Sequence, residues 1–358
     1  MSKSFCLIID SLTGGGAEKS TLNLARLLLS HGCEVHIILL NKVISFDISG
    51  LEKFIHVIND CNSHFRLVRV LKRVFCLRKK IKGIGIKFDI VIANLHSSSS
   101  ISRFALLDNL YFCIHSSEFI NFKKNKSFFD NVNNFILRNL VYRNGRLICV
   151  SNTVKKHITK SKIPFKSIKV IYNPILIDEI IANAGAFSPP FENYVINVAR
   201  FTQVKRHDIL LKAFKKSAID KKLVLMGEFQ EEYSNIVNLI NQLELQNQVI
   251  LLNSQLNPYP FIKGADALIV SSDYESFSLV TVEALILKVP VISTNCYGPE
   301  EILSKNYNSW ISPVGDIDSL SSNIQRVCSS PYKIYKSDYE KFDFKHSISQ
   351  YINLIKKN

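Results

Sequence analysis

The chain has 358 residues, 47% of them apolar and 21% charged, with 13 Gly and 10 Pro; that is enough length for two domains and enough apolar material to exclude disordered, collagen-like and linker-dominated classes. The formal net charge is +15, and residues 1–180 hold 27 Lys+Arg against 12 Asp+Glu while residues 181–358 hold 18 of each. A uniformly basic nucleic-acid binder is therefore disfavoured, and one basic half is expected to meet an anionic surface or acceptor.

Met1-Ser2-Lys3-Ser4 runs straight into a strand-like segment. It lacks the basic segment, apolar core and small-residue cleavage site of a secretory signal, so a cytoplasmic location is expected. The eight cysteines are scattered singly, with no C-x-x-C pair, and read as reduced thiols. Uncharged apolar runs of 18 residues are absent, so no membrane span is expected.

In chain order, SFCLIID (4–10), EVHIILL (34–40), FIHVIND (54–60), FDIVIANLH (88–96), LYFCIH (110–115), RLICVS (146–151) and IKVIYNP (168–174) read as strands. They are almost continuously apolar, as strands buried on both faces of a parallel sheet must be. Asn173-Pro174 and AGAFSPPFENY (184–194) break the pattern. It restarts with YVINVAR (194–200), KLVLMGE (222–228), QVILLN (248–253), ALIVSS (267–272), PVISTN (290–295) and SWISPV (309–314). The predicted fold class is α/β, two tandem doubly wound domains facing each other across a cleft. The boundaries are 1–173 for an acceptor-side domain, 174–192 for a linker and 193–335 for a donor-side domain. The tail, 336–358, is expected to form a helix returning to the first domain.

Ligands of such sheets bind at the carboxyl ends of strands, so the loops there carry the candidates. Thr13-Gly14-Gly15-Gly16-Ala17-Glu18-Lys19-Ser20 places glycines before a helix, where backbone N–H groups can approach a phosphate. It matches neither the P-loop nor G-x-G-x-x-G, and a glycine turn needed for packing gives the same pattern. Residues 65–82, FRLVRVLKRVFCLRKKIK, put Leu67, Val70, Leu71, Val74 and Ile81 near one helical face among many cations. Such a helix suits an anionic membrane surface, or simply packs on the sheet. The basic, aromatic segment 119–135 lies in the same half and adds to the membrane reading.

His96, with Ser97 to Ser100, ends a strand and is a candidate acceptor contact. His115 ends the strand LYFCIH, where a lone histidine is ordinarily structural. Arg200 and Lys205 follow YVINVAR and can converge on one diphosphate, the first by its planar fork and the second as a point charge; solvated surface charge is the plain alternative. Glu275 lies in a loop after a strand and Glu283 eight residues on, in the following helix, whose start near Ser278-Leu279 offers free N–H groups. Carboxylates for hydroxyls and a helix end for charge suit a sugar nucleotide, although Glu283 alone could be a solvent-facing helical residue. Asp316-Ile317-Asp318 spells D-x-D but opens a helix, where an acidic cap is ordinary, so no metal site is assigned.

Taken together, Gly15-Gly16-Ala17-Glu18, VSNTVKKHI (150–158), IKVIYNPI (168–175), Arg200 with Lys205, NPYPFIKGADALIVSSDYESF (257–277), the Glu275/Glu283 pair and GPEEIL (298–303) resemble the retaining glycosyltransferases of family 4, the "glycosyl transferases group 1" type, with the GT-B fold. The resemblance covers most of the chain. It implies that Arg200 and Lys205 hold the donor diphosphate, that Glu275 touches the transferred sugar with the backbone of Phe277, Ser278 and Leu279 beside it, and that Glu283 bonds the nucleotide ribose. It further implies that Gly15 and Gly16 close onto the phosphates and that His115 acts near the sugar. One departure is visible. The family usually reads Glu-Gly-Phe-Gly or Glu-Gly-Phe-Pro, and here the stretch is Glu275-Ser276-Phe277-Ser278, which bears on the donor sugar.

The expected function is transfer of a hexose or N-acetylhexosamine from a nucleoside-diphosphate sugar, UDP-linked by preference, to a lipopolysaccharide or lipid-linked glycan, with retention of configuration. No cofactor or metal is expected beyond the nucleotide-sugar co-substrate. The expected partners are that donor, the glycan or lipid-linked acceptor and an anionic membrane surface through 65–82 and 119–135, on the inner face of the cytoplasmic membrane, and no nucleic acid. The alternatives are a UDP-sugar epimerase of the same fold and a non-catalytic sugar-nucleotide-binding membrane protein.

Overall fold

The computed structural model describes residues 2–58, 65–116, 136–303 and 306–355. They form two units, Met1–Ile175 with Phe344–Asn358, and Leu176–Asp343.

The first unit is a seven-stranded sheet of β1 (Ser4–Ile9), β2 (Glu34–Leu39), β3 (Ile55–Val57), β4 (Ile90–Asn94), β5 (Leu110–Ile114), β6 (Arg146–Cys149) and β7 (Ser167–Val170), in the order β3-β2-β1-β4-β5-β6-β7. The second is a six-stranded sheet of β8 (Tyr194–Val198), β9 (Lys222–Met226), β10 (Val249–Leu252), β11 (Ala267–Val270), β12 (Val291–Thr294) and β13 (Ile311–Ser312), in the order β10-β9-β8-β11-β12-β13. Each pairing between neighbouring strands is parallel. All thirteen predicted runs contain a strand. The ladders stop short of the polar residues that end those runs, because Asp10, His115 and Arg200 have already turned into loops.

The apolar character of the strands is used on both faces. All six residues of β1 are buried, as are all of β4, β11 and β12. In each sheet the strand order reverses direction once, between β1 and β4 and between β8 and β11. The chain leaves such neighbours toward opposite faces, so a crevice opens between their carboxyl ends. Register brings Ile8 opposite Ala93 at the first reversal, and Ile196 opposite Leu268 at the second.

Within the segment read as a linker, Ile177–Asn183 is a helix that buries Ile180 and is grouped with the second unit. The helix Phe344–Ile352 is grouped with the first unit. There Ile348, Tyr351 and Leu354 are buried, Phe344 donates its N–H to the Ile175 carbonyl at 3.1 Å, and Tyr111 donates its hydroxyl to the Leu354 carbonyl at 3.5 Å.

The basic helix is Arg66–Ile84, and its faces divide differently from the expectation. Leu77 is fully buried, and Val74, Ile81 and Ile84 pack with it against the core. Leu71, expected on the same face, is instead 60% exposed, alongside Phe75 at 68% and the exposed Val68. Arg69, Lys72, Lys79 and Lys82 are also exposed, but Arg73 turns inward and donates to Asn41 Oδ1 at 2.7 Å. The segment 119–135 lies outside the described residues. No helix among the described residues is long and apolar enough to cross a membrane.

Candidate active site

In the second unit, the loops after β8 and β11 meet at the reversal of strand order. Arg200 follows β8 and is exposed, and its guanidinium makes no hydrogen bond or ion pair among the described residues. A single helical turn, Gln203–Lys205, then aims Lys205 at the loop after β11. Lys205 Nζ lies 2.5 Å from Glu275 Oε1, and both side chains are only 17% exposed. Ser272 donates its hydroxyl to the same oxygen at 3.1 Å. Two further bonds clamp the loops together: Ser271 Oγ donates to the Lys205 carbonyl at 2.8 Å, and the Asp273 N–H donates to the Val204 carbonyl at 2.9 Å. Arg206, next in sequence, is shared between Asp208 at 2.9 Å and Asp273 at 3.0 Å, and so braces this turn.

Glu275 is fixed through its backbone as well. Its N–H donates to the Cys296 carbonyl, and its carbonyl accepts from the Gly298 N–H, each at 2.9 Å. A Cβ at Gly298 would stand 2.7 Å from the Phe277 backbone, so only glycine lets the two segments approach. Phe277 is buried and meets the Phe342 ring edge-on at 5.3 Å between centroids.

The departure at Ser278 has a definite backbone outcome. Ser278 sits at φ +70°, ψ +81°, in the left-handed region that favours glycine, and opens the helix Leu279–Ile286. Its Oγ is 2.8 Å from Thr281 Oγ1. The serine thus takes up a conformation that glycine adopts freely, at a strain of about 1–2 kcal/mol. Glu283, one turn into that helix, is 4% exposed, which removes the solvent-facing reading of it.

Asp316 caps the helix Ile317–Ser329, accepting the Ser319 N–H at 3.0 Å, and Asp318 pairs with Lys216 at 2.6 Å. Among the described residues, no group of three or more His, Cys, Asp or Glu is placed to hold a metal ion.

In the first unit, Gly15 is the N-cap of the helix Gly16–Ser30 and donates its N–H to the Thr13 carbonyl at 2.6 Å. The Glu18 carboxylate lies against the position of the missing Gly15 side chain, so this helix start already faces an internal carboxylate. At the strand reversal the structure brings together residues that the sequence reading passed over. Asp10 follows β1, and its Oδ1 accepts the Ser98 N–H at 2.8 Å. Burial pushes the Asp10 carboxyl up from 3.8 to about 6, against the pull of Ser98 and Arg73. Asn94, buried at the end of β4, meets His115 Nε2 at 2.9 Å. Between Asn94 and the helix His96–Phe104, Leu95 is held at φ +68°, ψ +169°. That region is nearly restricted to glycine, and occupying it costs about 1–3 kcal/mol.

The serines after His96 are not free contacts. Ser98 and Ser99 are buried, and the hydroxyls of Ser98, Ser99 and Ser100 donate to the carbonyls of Asn94, Leu95 and His96 respectively. They close the helix's own first turn, a back-bonding habit of serine that the run itself did not announce. His96 Nδ1 lies 3.3 Å from the Tyr142 hydroxyl.

Two consequences can be measured. Ser278→Gly removes the backbone strain but also one hydrogen bond of about 0.5–1.5 kcal/mol, so Tm should stay within about 2 °C. Ser278→Ala keeps the strain and loses the bond, and Tm should fall by about 2–4 °C. For Asp10, a raised folded value means that the folded chain favours the protonated form. Its contribution to stability is present at low pH and lost as pH rises through about 4 to 6. Asp10→Asn should therefore exceed the parent in urea stability by about 1–3 kcal/mol near pH 7, a margin that closes near pH 4. A margin independent of pH would contradict that assignment.

Comparison with known proteins gives the family. Residues 183–343 match the model for glycosyl transferases group 1, and residues 14–179 match that for glycosyltransferase family 4. Over 298 residues the chain is 26% identical to the N-acetylgalactosamine-N,N'-diacetylbacillosaminyl-diphospho-undecaprenol 4-alpha-N-acetylgalactosaminyltransferase of Campylobacter jejuni, covering 81% of this chain and 80% of that protein. It is 24% identical over 196 residues to the lipopolysaccharide 1,6-galactosyltransferase of Salmonella typhimurium, covering 53% of this chain and 54% of that one, so this match spans about half of the relative. Among solved structures, Anabaena HepE in complex with UDP-glucose matches with a TM-score of 0.80 at 18% identity, covering 99% of this chain and 100% of that one, a likeness of fold. With the two family models lying end to end along its two parallel-sheet units, the chain is a glycosyltransferase of the group 1 type, built on the GT-B fold.

Proposed function

We propose that this glycosyltransferase moves a hexose or N-acetylhexosamine from a UDP-sugar to a lipid-linked glycan or lipopolysaccharide acceptor, with retention of anomeric configuration and without a metal ion. The observation that carries the reading is the Lys205–Glu275 pair, clamped at the ends of β8 and β11 where Arg200 also emerges. Breaking the bond between sugar and diphosphate leaves charge on the departing phosphate oxygens. Arg200, Lys205 and the first N–H groups of the helix Leu279–Ile286 offset that charge in this reading.

Glu275 can serve the sugar while it holds Lys205. An ionised carboxylate has about four acceptor sites, and Lys205 and Ser272 both use Oε1. The remainder are available to sugar hydroxyls, and the buried Glu283 would accept from the ribose. Retention then follows from attack on the face the diphosphate leaves, with the leaving group taking the acceptor's proton.

The acceptor class is supported by the names of the Campylobacter and Salmonella relatives, one acting on a diphospho-undecaprenol substrate and the other on lipopolysaccharide. It is also supported by the exposed apolar stripe of Val68, Leu71 and Phe75 among Arg69, Lys72 and Lys79, which suits an anionic leaflet such as the inner face of the cytoplasmic membrane. The nucleotide is supported by HepE, whose structure holds UDP-glucose.

UDP at 100 times its dissociation constant should stabilise the chain by ~2.7 kcal/mol, raising Tm by several degrees with or without EDTA, and GDP should do less. In turnover of a UDP-sugar, Arg200→Ala should lower kcat/KM by about 10²-fold. No shift with UDP, or unchanged turnover in the variant, would remove the ground for this reading. Sedimentation with vesicles containing phosphatidylglycerol should weaken at least tenfold for Leu71→Ser/Phe75→Ser, at about 1.4 kcal/mol per decade of affinity. Equal sedimentation would take the membrane away from this helix.

A further inference from the structure

The geometry points to Asn94 as a positioning residue that locks His115 in the tautomer with hydrogen on Nε2, leaving Nδ1 as a fixed acceptor for a sugar hydroxyl. The role in sugar binding rests on the reading in the preceding subsection, whereas the tautomer stands on the hydrogen bonds alone.

Two contacts orient the Asn94 amide. Its Nδ2 lies 3.4 Å from the Ile8 carbonyl oxygen, an atom that can only accept, so the nitrogen belongs on that side. The amide oxygen then faces His115 Nε2 at 2.9 Å. A carbonyl oxygen cannot donate, so Nε2 must carry the proton. In a neutral imidazole the second nitrogen then keeps its lone pair. Burial disfavours the charged ring and holds its pKa down at about 4. Nδ1 has no hydrogen-bond partner among the described residues.

The turn that delivers Asn94 is held from several sides. Leu95 is kept in its glycine-like conformation while Ser98 donates its N–H to Asp10 and its hydroxyl to the Asn94 carbonyl, and Ser99 donates its hydroxyl to the Leu95 carbonyl at 2.6 Å. Parallel pairing of β4 with β5 sets Asn94 opposite Cys113, two residues before His115. Strain retained in a turn that is over-determined by its neighbours is the pattern found at functional positions. Here it aims one amide at one imidazole.

The test uses the full chain labelled with ¹⁵N-histidine, and His115 is assigned by the signals that vanish in His115→Asn. Nε2 should appear protonated and Nδ1 unprotonated, in a single tautomer. Asn94→Leu, which removes the acceptor, should give a mixture of tautomers. A parent spectrum with hydrogen on Nδ1 overturns the proposal whether or not Asn94→Leu folds.

The second arm measures turnover of UDP-glucose, UDP-galactose, UDP-N-acetylglucosamine and UDP-N-acetylgalactosamine. Asparagine places its amide where Nδ1 stood, whereas glutamine places it near Nε2. With whichever donor the parent uses, both variants should lower kcat/KM, and His115→Gln, which leaves the Nδ1 position empty, should fall roughly tenfold below His115→Asn, as for one lost hydrogen bond. Equal loss, or the reverse order, overturns the role of Nδ1. If the parent turns over none of the four, the donor reading fails, and the spectrum still decides the tautomer.

Discussion

Parallel pairing is the constraint from which the rest of the structure follows. A parallel neighbour cannot be reached by a tight turn, so each strand must be followed by a crossover that returns the chain to the same starting edge. In both sheets, therefore, the loops at the carboxyl ends of strands collect along one edge, and only the two reversals of strand order open a crevice there. Arg200, Lys205 and Glu275 lie at one of these reversals, and Asp10, Asn94 and His115 at the other. The burial of both sheet faces leaves few other places where a polar side chain can emerge.

At the second reversal Lys205 and Glu275 offset each other's charge, while Arg200 makes no ion pair among the described residues. An ion pair with both partners mostly buried is weak evidence for stability, since removing charges from water offsets much of their attraction. Its merit here is order. Lys205 and Glu275 are held by a serine, two backbone clamps and a close glycine, so the groups proposed to meet the donor need little rearrangement to do so. Arg206, adjacent in sequence and equally basic, is given over to bracing the turn between Asp208 and Asp273. Neighbouring cations thus have different tasks because their surroundings differ.

Much of this was legible in the residues themselves. Thirteen apolar runs could be nothing but strands once their length and β-branched character were weighed, and the break at Pro189-Pro190 separated two sets of them. The charged residues after YVINVAR and ALIVSS stood out because they end buried strands. What stayed hidden depends on directions that one-dimensional periodicity does not carry. The Arg66–Ile84 helix has apolar residues on two faces, and a helical repeat cannot say which of them meets the sheet. Ser278 declares no preference for φ +70°; its neighbours impose it. Asn94 and Asp10 read as ordinary polar strand ends, although a polar residue closing VIAN inside an apolar run was a signal available to be used.

The return of Phe344–Ile352 to the first unit makes the second unit, in effect, an insertion within the first. On a ribosome, residues 176–343 are all synthesised before the segment that supplies Ile348, Tyr351 and Leu354 to the first unit's core. The usual order, in which the amino-terminal domain finishes first, is therefore inverted. The seven-stranded unit must wait with part of its apolar surface uncovered while the six-stranded unit completes itself. Apolar surface left uncovered in this way is what makes a folding chain prone to aggregate.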